Sequence, residues 1–316
     1  MAIYHCSTKT INRSKGRSAV AASAYRAGEK LQDERTGLTH DFTKKEGVIH
    51  SEIISNLGVQ IDRSDLWNMA EQVENRKDAR TAREWVIALP DELNQQERQN
   101  VAQEFAQKLV DKYGVIADMA IHEPSKGGDD RNHHAHIMLT TRKAMLDGDK
   151  AKLTDKADIE LSNAKRATLG LDKTQGDIKK IRKMWAEIAN YALERAGSSE
   201  RIDHRSYDEQ GNGLKAQWHE NNAVTELRRQ GKDTVISLHN DEVKKFNAKE
   251  IQRRQLESTD ILKTGLGSVE NRLKEWEKQQ ELKQQEKLRQ EQQSAQQTKI
   301  EQVNRQTSRN NGGMSR

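Results

Sequence analysis

The chain has 316 residues, of which 33% are hydrophobic, 4% aromatic and 33% charged, and it carries a formal net charge of +5. So small an apolar fraction cannot build a core along the whole length, and the modest positive balance suits an anionic partner such as nucleic acid. Cys6 is the only cysteine, which excludes an intrachain disulfide and a cysteine-based zinc site and fits a reducing cytoplasm; the sequence shows neither a signal-peptide pattern nor a run of about 18 apolar residues, so a soluble protein inside the cell is expected.

Ala2 to Ser7 reads as a strand, followed by a basic loop from Lys9 to Arg17 that is rich in turn formers. Ser18 is placed to cap a helix over Ala19–Ala27, with Gly28 to end it, and its alanines allow close approach to a sheet. Val48–Ile54 is expected to be a strand, Ser64 to about Asp78 a helix, and Arg83–Leu89 a strand stopped by Pro90. From Asp91 to Tyr113, apolar residues recur at helical spacing, and Ile178–Arg195 reads as a helix with Lys179, Lys180, Arg182 and Lys183 clustered in its first half.

Between these helices lie two strand-like segments, Ile116–His122 and Asn132–Thr140, joined by a polar run over Glu123–Arg131 that suits a hairpin loop. Side chains alternate faces along a strand, so His134 and His136 project together and His133 points away. His122 then lies opposite His134 and a diagonal step from His136. A lone histidine on a strand is ordinarily a surface or satisfied core residue. Three on one face at this spacing describe a metal site that leaves coordination positions open for chemistry. By ligand softness the trio suits Mn, Zn, Co or Ni.

The order of elements predicts an α+β fold in which helices pack on one face of an antiparallel sheet and leave the other for chemistry. An extended helical C-terminal region follows: Lys, Glu, Gln and Arg dominate after about residue 240, and Gly265 and Gly267 are the only breakers, so two helical stretches are expected. The expected divisions are a domain over 1–240, a helical region over 241–305 and a disordered tail over 306–316.

The segments Ala2–His5, Arg17–Ala19, Ala24–Tyr25, Ile87–Pro90, Ala120–His122, His134–Met138 and Arg201–Arg205 resemble, in order, the MobA/MobL family of plasmid mobilisation relaxases, across roughly residues 2 to 210. That resemblance implies a metal-dependent endonuclease of the HUH type, which cuts one DNA strand at an origin of transfer, stays attached through a 5′-phosphotyrosine and later rejoins the strand. Tyr25 matches the nucleophile, His122, His134 and His136 match the ligands of a divalent ion (Mg or Mn by resemblance), and Glu84 matches an acidic residue that orients a ligand or accepts the tyrosine proton. Without the resemblance, Tyr25 would read as a helix tyrosine with a wet hydroxyl, and Glu84 equally well as a surface carboxylate. Arg13, Lys15, Arg17, Arg26, His204 and Arg205 are candidate DNA contacts, the last two alternatively a loop anchor. No second tyrosine lies a turn from Tyr25, which argues against a paired-tyrosine mechanism.

The implied partners are single-stranded DNA at the origin of transfer, relaxosome accessory proteins and a type IV secretion coupling protein, with no small-molecule substrate. The implied location is the bacterial cytoplasm, with translocation alongside the transferred strand. The alternatives are an HUH replication initiator or transposase with the same chemistry, an inactive accessory factor, and a metal hydrolase that releases a free 5′-phosphate.

Overall fold

The computed structural model describes residues 3–124, 130–218 and 220–311, and its first strand, β1 (Cys6–Asn12), runs through much of what reads in sequence as a basic loop. A 3-10 turn (Arg13–Lys15) leads into α1 (Ala19–Ala27), the hairpin β2 (Lys30–Asp33) and β3 (Leu38–Asp41), β4 (Val48–Ile54), α2 (Arg63–Gln72), β5 (Arg80–Ala88) and α3 (Gln95–Tyr113). There follow β6 (Ala117–His122), β7 (His134–Thr140), a second hairpin of β8 (Arg142–Asp147) and β9 (Lys150–Lys156), α4 (Asn163–Thr168) and α5 (Thr174–Arg195). Helix α3 starts at Gln95 and not at Asp91 because Asn94 and Glu97 form a reciprocal capping box there.

Five strands form one antiparallel sheet in the order β1-β5-β7-β6-β4. One face carries Trp85, Ile87, Met119, Ile121, Ala135 and Ile137, and α3 and α5 bury it with Phe105, Leu109, Ile181 and Trp185. Phe105 meets Trp85 at 6.3 Å and Trp185 at 5.4 Å, both edge-on. Each such side chain removed from water contributes about 1.5–3 kcal/mol, and each aromatic pair about 0.5–1.5 kcal/mol more. This is the helix-covered face that the sequence leads one to expect.

The opposite face is not left wholly to chemistry. At one end, α1 and α2 cover it with Val20, Ala24, Leu66 and Trp67 against Ala82 and Met138. Asp118 on β6 fastens this second layer, accepting from Ser23 Oγ on α1 at 2.6 Å, from Trp67 Nε1 on α2 at 2.8 Å and from Arg63 Nε at 3.1 Å. The N-terminus of α1 is fixed by Ser18 Oγ, which accepts from Ala21 N at 3.3 Å, and by buried Glu71, which accepts from Ala19 N at 2.7 Å. Its C-terminus stops at Gly28, whose φ of +69° is the left-handed conformation that favours glycine.

The chain divides into two compact units, Met1–Ser206 and Tyr207–Arg316, earlier than the composition change near residue 240 suggests. The second holds α6 (Tyr207–Gln210), α7 (Asn222–Arg229) and α8 (Val235–Asn311). Gly265 and Gly267 do not divide α8, so the two expected helices are one, and helix continues into the stretch expected to be a disordered tail; residues 312–316 lie outside the described residues. A single glycine costs a helix only about 1 kcal/mol, which long good-forming flanks absorb. Along the start of α8 lies an irregular strap, residues 212–218. Asn240 grips both backbone groups of Trp218 at 2.8 and 2.9 Å, Asn247 grips both of Lys215 at 2.9 Å, and Arg254 donates to the carbonyl of Asn212. Among the described residues no helix is long and apolar enough to cross a membrane.

Candidate active site

On the half-open face of the sheet, β6 and β7 pair so that His122 stands across from His134, and Ala120 across from His136. The three rings converge as strand alternation predicts, with centroids 5.3 Å apart for His122 and His134, 4.8 Å for His122 and His136, and 5.2 Å for His134 and His136. One nitrogen of each lies within 4.8 Å of those of the others. His133 faces away, its Nε2 3.6 Å from Asp91 Oδ1.

Each ring also has an outward partner. His136 Nδ1 donates to Glu84 Oε1 at 2.6 Å, His134 Nδ1 to the carbonyl of Asn132 at 2.9 Å, and His122 Nε2 to the carbonyl of Arg26 at 2.7 Å. Because carbonyls and carboxylates accept here, these nitrogens carry the hydrogens and the second nitrogen of each ring keeps a lone pair. Burial pushes His122 down to about 3, against a partial lift from the Arg26 carbonyl, and burial lowers His134 and His136 as well. Three neutral imidazoles, each held by a hydrogen bond and with rings that converge, fit a divalent ion by the chemistry of the donor set.

Glu84 lies on β5 beneath this cluster with its side chain out of solvent. Its carboxylate receives His136 and Arg26 and lies 3.0 Å from Lys9 Nζ. Burial alone would raise its pKa, but the hydrogen bonds from His136 and Arg26 outweigh that and hold it well below the usual carboxylate range.

Tyr25 sits on the last turn of α1, one residue before the carbonyl that holds His122. It is 49% exposed, with Phe42 edge-on to its ring at 5.2 Å and Lys45 Nζ 4.1 Å from the ring centroid. Lys45 Nζ donates to the Tyr25 carbonyl at 2.8 Å and lies 3.3 Å from His122 Nε2; burial, with Arg26 adding to it, lowers this ammonium to about 8.

Tyr25, Glu84, His122, His134 and His136 thus come together, while the candidate DNA contacts scatter. Arg26 is occupied inside the site, on Glu84 and on the Ala22 carbonyl at 2.6 Å. Arg13 is engaged by the Glu71 carboxylate at 2.9 Å and by the carbonyls of Glu71, Glu74 and Arg76 at and after the end of α2. Lys15 and Arg17 are exposed on the turn before α1. His204 and Arg205 lie against Asp203 at 3.6 and 2.7 Å. Lys9, Phe42 and Lys45 escape a reading of the sequence. For Lys9 a signal existed: continued to Asn12, β1 pairs Lys9 with Glu84.

The MobA/MobL family model matches residues 17–230, a stretch that contains Tyr25, Glu84, His122, His134 and His136. The chain belongs to the MobA/MobL family. The curated mobilization protein MobL of Acidithiobacillus ferridurans is 40% identical over 232 residues, covering 67% of this chain and 60% of that protein. The conjugal transfer protein TraA of Agrobacterium fabrum is 32% identical over 237 residues, covering 69% of this chain and 21% of that protein. This MobA/MobL chain therefore spans 60% or less of the length of these relatives. Among solved structures, a chain from work on the molecular basis of vancomycin resistance transfer in Staphylococcus aureus is 31% identical with a TM-score of 0.53, covering 65% of this chain and 100% of that one.

Proposed function

We propose that the protein is a relaxase that nicks one strand of DNA at a plasmid origin of transfer through Tyr25 and later rejoins it, initiating mobilisation. One observation carries the reading: the turn of α1 that presents Tyr25 is hydrogen-bonded through the Arg26 carbonyl to His122, so nucleophile and histidine cluster form one rigid assembly. The mobilization and conjugal transfer names of its relatives support the biological setting. The partners in this reading are single-stranded DNA at the origin, relaxosome accessory proteins and a secretion coupling protein, and the site of action is the bacterial cytoplasm.

In the step we propose, Tyr25 Oη attacks the scissile phosphorus, the bond from phosphorus to the 3′ oxygen breaks, and the 5′ phosphate is left esterified to tyrosine. The phenol loses its proton and the departing 3′ oxygen gains one, so charge balances. A divalent ion held by His122, His134 and His136, Mg or Mn by family resemblance, would withdraw charge from the phosphate. Glu84 holds His136 with its free nitrogen turned inward; its lowered basicity makes it a poor acceptor for the phenol proton. One phosphodiester is exchanged for another of similar energy, so the 3′ hydroxyl reverses the step and reseals the strand.

The test is capture of a covalent adduct on denaturing gels, using full-length protein, Mn2+ and single-stranded oligonucleotides tiled across the DNA that flanks its gene. Tyr25→Phe should abolish the adduct with DNA affinity nearly unchanged, because no charge is removed. His134→Ala or His136→Ala should suppress it far more than His133→Ala, and chelator should reproduce the loss. An undiminished adduct in Tyr25→Phe, or free 5′-phosphate as the product, would refute the proposal.

A further inference from the structure

The turn between β3 and β4 is built around the Tyr25 ring. Phe42 N donates to the Glu29 carbonyl at 3.1 Å and Lys45 N to the Phe42 carbonyl at 2.9 Å, so the turn is fastened to the chain just after α1 and then closed on itself. A Cβ on Gly28 would stand 3.3 Å from Val48 Cγ2 and 3.8 Å from the Phe42 carbonyl oxygen, so glycine is what lets the turn come this close. From the turn, Phe42 meets the Tyr25 ring edge-on and Lys45 reaches over its face, its ammonium anchored at the Tyr25 carbonyl. Among the described residues no carboxylate pairs with that ammonium.

A phenol at the end of a short helix, half open to solvent, would otherwise sample several rotamers, and a nucleophile gains rate when its approach is restricted to the productive one. The attacking ring also gathers negative charge as its proton leaves, and a cation over the ring face favours that charge where water is partly excluded. We propose that Lys45 is a positioning residue for Tyr25: with Phe42 it holds the phenol in one orientation, and its positive charge on the ring lowers the barrier to attack on the phosphate. The proposal rests on Tyr25 being the nucleophile. It assigns Lys45 no contact with the DNA, so its effect belongs in the rate and not in affinity.

The experiment measures the single-turnover rate of the phosphotyrosyl adduct at increasing concentrations of a cleavable single-stranded oligonucleotide. The proteins are full-length wild type, Lys45→Met, Lys45→Gln and Lys45→Arg, each loaded with Mn2+ and checked by thermal melt. Lys45→Met and Lys45→Gln should lower the saturating rate about tenfold, the worth of one cation on an aromatic ring. Half-saturation should stay within about twofold, and Lys45→Arg should recover most of the rate because the charge is kept. Wild-type rates in folded Lys45→Met or Lys45→Gln would overturn the inference. So would a loss confined to half-saturation, which would make Lys45 a DNA contact, or failure of folded Lys45→Arg to recover. Absence of a tyrosine adduct in wild type would instead refute the reading on which the inference rests.

Discussion

Glu84 gathers Lys9, Arg26 and His136 around one carboxylate that water does not reach, so its charge is costly to bury and is offset by these three partners. Removing its charge leaves the largely buried Arg26 without its carboxylate partner. Glu84→Gln should therefore destabilise the fold by about 3 kcal/mol at neutral pH in urea titrations. Because the folded carboxyl is held below the ordinary value of 4.5, its contribution is complete above that pH and is lost as pH falls toward the folded value. The difference between wild type and Glu84→Gln should accordingly shrink below pH 4.5; a constant difference would mean that the carboxylate is not what the cations hold. The variant should also bind Mn2+ more weakly, since His136 loses the partner that sets its tautomer.

Helix α1 is the element that sets Tyr25 beside the histidine face, and most of it was legible: Ser18, the alanine run and Gly28 are local signals, and the helix spans Ala19–Ala27 as expected. The His-x-His phase was legible for the same reason, since alternation is a property of neighbouring residues. Lys45 was not, because its approach to Tyr25 depends on a hairpin closing over 20 residues, which no local pattern records. The acidic partners of Arg13 and Arg26 were hidden for the same reason. Sequence shows the basic residue, and only the fold places buried Glu71 and Glu84 beside it. Gly28→Ala tests how much the end of this helix matters. The alanine must adopt φ near +69° and press on Val48, at a cost of about 1–2 kcal/mol in thermal or urea unfolding. Nicking should fall by more than stability explains, because the displaced turn carries Phe42 and Lys45, which pack on the Tyr25 ring; activity equal to wild type in a folded Gly28→Ala protein would show that the turn is not critical.

At the scale of the molecule, the sheet, Tyr25, Glu84 and the three histidines all lie in the first unit, within residues 1–206. A fragment of residues 1–206 should melt cooperatively and bind Mn2+ as the full chain does, by calorimetry. A cut at residue 240, which composition alone suggests, should give a fragment more open to protease in its last segment, since Asn247 and Arg254 are removed and two of the three grips on the strap go with them. Protection of residues 212–218 in the 1–240 fragment equal to that in the full chain would mean that the strap needs no helix beneath it. Those grips have a consequence for how this region can change over evolutionary time. Asn240, Asn247 and Arg254 are seven residues apart on a helix, about 10.5 Å a step, while their partners Trp218, Lys215 and Asn212 are three residues apart, a step that extended chain would span in about 10 Å. The two segments work like rulers whose graduations coincide only at those marks. One residue inserted between 240 and 247 swings every later mark about 100° around the helix, so length variation between these marks should come in sevens, matched by threes in the strap.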